Sequence, residues 1–206
     1  MTSPIPLNLA VEDPLTESLF AKILGTIPIT YATRTIYNRG GYGYLRQNIN
    51  GFNNAAKGVP FLIGTDLDRY ECPAALIQEW LIHPKHNNLL IRIAVREAEA
   101  WILADKENLA RFLGIRPALV PDDVERIADP KGELIELARR TRRRELREDI
   151  CPPAHSTRKV GPNYNARWAA FVLQQWDPSV ARERAESLAR AIDCLVTFRP
   201  TWPEPV

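Results

Sequence analysis

Four short apolar runs, Ile5–Val11, Ile29–Ile36, Val59–Gly64 and Leu89–Val95, alternate with segments of helical period through the first half of the chain. Parallel strands need a long crossover, usually a helix. The alternation therefore predicts an α/β fold with a mainly parallel four-stranded sheet flanked by helices. Val59–Gly64 is apolar without interruption, as befits a strand buried on both faces. Ile29–Ile36 is β-branched and alternating, which also reads as a strand. Between the runs, Pro14–Gly25 carries an apolar stripe at Leu15, Leu19, Ala21 and Leu24, with proline at the start and glycine at the stop. The glycine-rich loop Asn38–Gly43 opens a helix ending near Gly58, and Pro73–Leu81 reads as a helix with Glu71 or a buried Cys72 at its cap.

The second half reads as helical. Expected helices are Glu97–Ala104, Lys106–Leu113, an arginine-rich Gly132–Asp149, Asn163–Trp176 and Ser179–Phe198, with a turn-rich break at Gly114–Pro121. This divides the chain into an α/β core, 1–115, and a helical extension, 116–206, packed on it as one compact unit. A chain of 206 residues can bury such a core. No apolar run approaches the ~18 residues of a membrane span, and no signal peptide is expected from the opening residues. Three widely spaced cysteines fit a reducing cytoplasm better than a disulfide framework. A net charge of +2 argues against a generic polyanion binder, so any nucleic-acid contact must come from local patches.

Acidic residues follow three of the four expected strands: Glu12 and Asp13 the first, Asp66 and Asp68 the third, Glu97 and Glu99 the fourth. In an open parallel sheet all carboxyl ends lie along one edge, where ligands bind. Carboxylates gathered there repel and need a cation or a proton. Mg²⁺ or Mn²⁺ suits oxygen ligands and phosphate substrates. Each cluster also has a plainer reading as a helix cap, strongest for Glu17 and Glu99. Asp66 and Asp68 resist it, because alternation puts both on one side directly after a buried strand.

The acidic pattern resembles the Toprim domain of topoisomerases, bacterial primases and overcoming-lysogenization-defect nucleases. The stretches Asp66-Leu67-Asp68-Arg69-Tyr70-Glu71-Cys72-Pro73, Arg96 to Asp105, Asp129-Pro130-Lys131 and Val160-Gly161-Pro162-Asn163-Tyr164-Asn165 together resemble a Toprim-like bacterial family designated domain of unknown function 4276. The resemblance implies a Mg²⁺-dependent phosphodiesterase, a nuclease acting with a partner protein such as a phage-defence ATPase. The alternative is a non-catalytic module that binds nucleic acid or such a partner. It implies metal ligation by Asp66, Asp68 and Glu97, with Glu99 as the lesser choice, and a metal or general-base role for Glu12. Asp13 stands where the resemblance expects glycine, and a side chain there would crowd a phosphate.

Lys131 is a candidate for offsetting transition-state charge, with a surface lysine as the competing reading. Arg39, Arg46, Lys57, Arg69 and Arg96 are candidate nucleic-acid contacts, and Tyr42 or Tyr44 a stacking surface. The Arg139–Arg144 run reads either as a backbone grip or, given Glu136, Glu145, Glu148 and Asp149 around it, as a salt-bridged helix face. His83, His86 and Cys72 match no zinc spacing.

Overall fold

The computed structural model describes residues 3–38 and 40–202. The protein is α/β, and its four strands are β1 (Ile5–Val11), β2 (Tyr31–Tyr37), β3 (Phe61–Asp66) and β4 (Leu89–Ala94). All pairs are parallel, in the order β2-β1-β3-β4. Helix α1 (Pro14–Thr26) links β1 to β2, α2 (Gly41–Ala55) links β2 to β3 and α3 (Pro73–Trp80) links β3 to β4. Strand periodicity divides the core in two. Leu7, Leu9, Val11, Leu62, Leu90 and Ala94 face α1 and the later helices. Ala10, Phe61, Ile63, Leu89, Ile91 and Ile93 face α2 and α3. Gly64 is required on this sheet, because a Cβ there would overlap the buried Phe20 ring of α1.

Helices α4 (Glu99–Ala104), α5 (Lys106–Leu113), α6 (Pro130–Arg139), α7 (Arg144–Ile150), α8 (Tyr164–Gln174), α9 (Pro178–Ala181) and α10 (Glu186–Thr197) follow. They share the α1-side core: α8 packs on α1, α6 on α4 and α10 on β4. Trp176 donates to the Trp101 carbonyl at 3.0 Å, Trp101 to Ser187 Oγ at 2.8 Å, and Tyr31 of β2 to the Leu195 carbonyl at 2.6 Å.

Two expected helices are broken. Gly132–Asp149 divides at Thr141, which is buried and whose hydroxyl accepts from Arg143 N at 3.1 Å, giving the backbone a local alternative to the helix. Ser179–Phe198 divides before α10, where Ala185 is extended and Arg184 is tied to the Pro121 carbonyl and Asp122. Cys72 caps α3 but is exposed, not buried as expected. No helix is long and apolar enough to cross a membrane among the described residues.

Candidate functional site

The strand order fixes where a site can form. From β1 the chain steps to β2 on one side, then returns across β1 to β3 and β4 on the other. Helix α1 covers one face, and α2 and α3 cover the opposite face. The connections thus reverse direction between β1 and β3, and the crevice beyond the carboxyl ends of those strands is the usual ligand position of an open parallel sheet. Glu12 follows β1 and Asp66 ends β3.

Their side chains are interlocked with the backbone. Glu12 Oε1 accepts from the Asp66 amide at 3.0 Å and from the Thr65 hydroxyl. Asp66 Oδ1 accepts from the Ala98 amide at 2.8 Å, which ties the end of β3 to the loop after β4. Burial pushes the Glu12 carboxyl above its ordinary range, against the hydrogen bonds from Thr65 and Asp66, with the charges of Asp68 and Asp13 adding to the rise. Burial, then the charges of Glu12 and Glu99, push the Asp66 carboxyl well above its ordinary range. Asp13 turns its carboxylate to the Thr16 amide, 2.8 Å, and caps α1. The residue expected to crowd a phosphate is therefore occupied as a helix cap, while its charge acts on Glu12, Asp66 and Glu99.

A second layer comes from the helical half. Asp129 caps α6 through the Gly132 amide at 2.8 Å. This sets the first turn so that the Lys131 amide donates to Glu97 Oε2 at 3.0 Å, while Lys131 Nζ reaches Glu99 Oε1 at 3.3 Å. Glu99 is buried and also accepts from the Tyr164 hydroxyl at 3.2 Å. Burial raises the Glu99 carboxyl; Lys131 opposes the rise and Glu97 adds to it. Burial alone would weaken the Lys131 ammonium, but Glu99 and Glu97 outweigh it and hold the proton more tightly than usual. Burial and the Glu99 charge raise the Tyr164 phenol, which stays a donor.

The Gly161 motif explains how Tyr164 arrives. The Gly161 amide donates to the Ile150 carbonyl at 2.9 Å, and a Cβ there would strike the Asp149–Ile150 backbone. Asn163 and Arg167 hold the Asp149 carboxylate at 2.7 Å and 2.5 Å. The close approach that only glycine permits starts α8 at the right place.

The structure thus brings Glu12, Asp66, Glu97 and Lys131 to one edge. Asp68 is there too, but exposed on a left-handed backbone (φ 48°), its amide bonded to the Arg96 carbonyl at 3.1 Å. Arg69 and Arg96 are exposed beside it, and Arg96 Nη1 donates to the Asp68 carbonyl at 3.2 Å. Arg46 is paired with Glu79 at 2.7 Å. Lys57 precedes β3 and so lies at the opposite edge of the sheet. Arg39 lies outside the described residues. The arginines of the Arg139–Arg144 run are exposed, with Arg139 on Glu136 at 3.2 Å and Arg144 on Glu148 at 2.7 Å, as the salt-bridged reading expects. His86 Nδ1 accepts from the Asn88 amide at 3.1 Å.

Sequence reasoning missed Thr65 and Tyr164 and undervalued Glu99. The signal for Glu99 was there: one carboxylate inside the apolar segment Ala98–Ala104 must be buried with a partner. Nothing local marked Thr65, which looks like a core position, and Tyr164 stood in the Val160–Asn165 stretch without a role.

Glu12, Asp66 and Glu97 each commit one oxygen to a backbone amide, and their other oxygens accept no hydrogen bond among the described residues. Hard oxygen donors in this state suit Mg²⁺ or Mn²⁺. Among the described residues no three His, Cys, Asp or Glu side chains converge into a ready-made cage. Mg²⁺ does not demand one: it is commonly held by one or two carboxylates together with substrate phosphate and water. The chain matches no family model, no curated protein and no solved structure.

Proposed function

We propose that this protein is a Toprim-like, Mg²⁺- or Mn²⁺-dependent phosphodiesterase, a nuclease that works in the cytoplasm with a partner protein, for which a phage-defence ATPase is the candidate. The observation that carries the reading is the Glu12–Asp66 pair at the β1/β3 switch point, desolvated, mutually repelling and pre-oriented by backbone amides. Glu12 and Asp66 would hold the metal, and Asp68 and Glu97 would complete its surroundings. A bound divalent ion supplies charge neutralisation and polarises a phosphoryl oxygen. Glu12 also serves to orient an attacking water through its uncommitted oxygen. Lys131 offsets negative charge developing on the phosphate, and Glu99, itself held by the Tyr164 hydroxyl, steadies its ammonium. Arg69 and Arg96, exposed at the same edge, are suited to contact phosphates on either side of the scissile bond.

The alternative, a non-catalytic module binding nucleic acid or a partner, is favoured by one feature. The Lys131 ammonium already contacts Glu99 and its charge bears on Asp66, so part of the neutralisation comes from within the chain. Mn²⁺ titration by calorimetry, on the wild type and on Asp66→Ala/Asp68→Ala, separates the two. Binding by the wild type alone, followed by metal-dependent cleavage of an oligonucleotide that Asp68→Ala abolishes, is the expected result. A folded wild type that binds no Mn²⁺ with oligonucleotide present would overturn the enzymatic reading and leave the binding module.

A further inference from the structure

Strand β2 is bare. Residues 32–36 are all exposed, although a parallel strand ordinarily has both faces covered. It pairs with β1 on one side and with no strand on the other among the described residues. Its exposed side chains are Ala32, Thr33, Arg34, Thr35 and Ile36, so hydroxyls and a guanidinium dominate. Arg34 is in no ion pair among the described residues. The stretch of sequence that holds it is one-sided in charge, although in space Arg46 is paired with Glu79 and Lys57 lies at the amino end of β3. Between Glu17 and Asp66 the chain has no Asp or Glu, yet it carries Lys22, Arg34, Arg39, Arg46 and Lys57. With a net charge of only +2, the remainder of the chain is net negative.

The register with β1 narrows what can occupy this edge. Leu7 pairs with Thr33 and Leu9 with Ile36, so two steps on β1 face three on β2 and the strand bulges at Arg34–Thr35. A bulge and a central charge disrupt an edge as a template for another strand. They also turn side chains outward. An edge hostile to a further strand and lined by Thr33, Arg34 and Thr35, with Glu17 the carboxylate at its end where it accepts from Asn38 Nδ2 at 2.9 Å, complements phosphate oxygens, which take hydrogen bonds from Arg, Thr and free backbone N–H groups. The carboxyl end of β2 adjoins that of β1, about 5 Å away across the sheet, so the edge leads to Glu12.

We infer that the outer edge of β2 is a docking track for the sugar–phosphate backbone of a single-stranded nucleic acid, gripped by Thr33, Arg34 and Thr35. The track rests on the phosphodiester substrate proposed above but not on cleavage. Binding is therefore measured without divalent metal, in EDTA, by fluorescence anisotropy of a labelled thymidine oligonucleotide across a salt series. Arg34→Glu should weaken binding about tenfold at low salt and reduce the slope of log K against log salt by about 1. Thr33→Val/Thr35→Val, which preserves strand propensity, should weaken it about fivefold or more, the loss expected of two hydroxyl–phosphate hydrogen bonds. Lys57→Glu makes the same charge change at the amino end of β3, two strands away, and should cost about twofold or less. Three results overturn the track: no binding by the wild type, an Arg34→Glu affinity equal to wild type, or an equal loss in Lys57→Glu. Sedimentation showing a wild-type dimer that Arg34→Glu dissociates would likewise overturn it and assign the edge to a second copy. A wild type that keeps this binding map in EDTA yet cleaves no oligonucleotide with Mg²⁺ or Mn²⁺ present removes the catalytic reading and leaves the track.

Discussion

Replacing Lys131 by methionine tests whether the buried carboxylate of Glu99 carries charge. Lys131 Nζ lies 3.3 Å from Glu99 Oε1, and the Tyr164 hydroxyl is the other partner of that oxygen. Stripping the partner from a fully buried ion pair costs about 3–5 kcal/mol. The Lys131 side chain is 37% exposed, so water partly replaces it, and the Tyr164 hydrogen bond survives. A loss of about 2 kcal/mol at pH 8 follows, a fall in Tm of about 4–8 °C for a chain of this size. The loss must depend on pH. Burial already raises Glu99, and removing Lys131 raises it further. A carboxyl raised in the folded state contributes stability below its unfolded pKa and loses it as pH rises through the folded one. The penalty should therefore be full at pH 8 and shrink toward pH 5. Glu99→Gln should remove most of it, which a double-mutant cycle in urea unfolding reads directly. A penalty below about 0.5 kcal/mol, the level of an ordinary surface change, or one unchanged between pH 8 and 5, refutes a charged Glu99 dependent on Lys131.

Further outcomes follow from the same geometry. Glu12, Asp66 and Glu99 are all raised, so metal-free protein should gain stability as pH falls from 8 toward 5, and Glu12→Gln/Asp66→Asn should flatten that rise in thermal melts. Mg²⁺ at about a hundred times its Kd should add about 2.7 kcal/mol at pH 8, less at pH 5 where protons compete, and nothing in Asp66→Ala; equal shifts at both pH values would speak against these carboxylates as the ligands. Gly64→Ala should cost about 1–3 kcal/mol by overpacking Phe20. Gly161→Ala should cost about 3 kcal/mol, because backbone rather than a side chain stands in the way; denaturant midpoints with unchanged slopes give both values.

Much of the candidate site was legible residue by residue. Asp66 could be singled out because a carboxylate ending an apolar strand is conspicuous, and Glu12 for the same reason. Lys131 was visible only as a position in a motif; its placement depends on Asp129 capping α6 against the loop after β4. Glu99 was undervalued because an acidic residue at a helix start has an ordinary explanation in the helix dipole. The breaks at Thr141 and before α10 were invisible to periodicity, since they arise from a buried hydroxyl and from contacts to Pro121 and Asp122.

Local physics determined the four strands, their crossovers and the end of the sheet where acids gather. Apolar period, helix caps and chain connectivity are properties of neighbours in sequence, and right-handed crossovers leave few arrangements of them. Only the tertiary structure decided the order β2-β1-β3-β4, and with it the crevice between Glu12 and Asp66. It also decided that the Gly161 turn delivers Tyr164, and the α6 cap Lys131, to an acidic edge more than thirty residues earlier in the chain. Those contacts depend on how whole elements pack, and desolvation gives their charges weight only after that packing is complete.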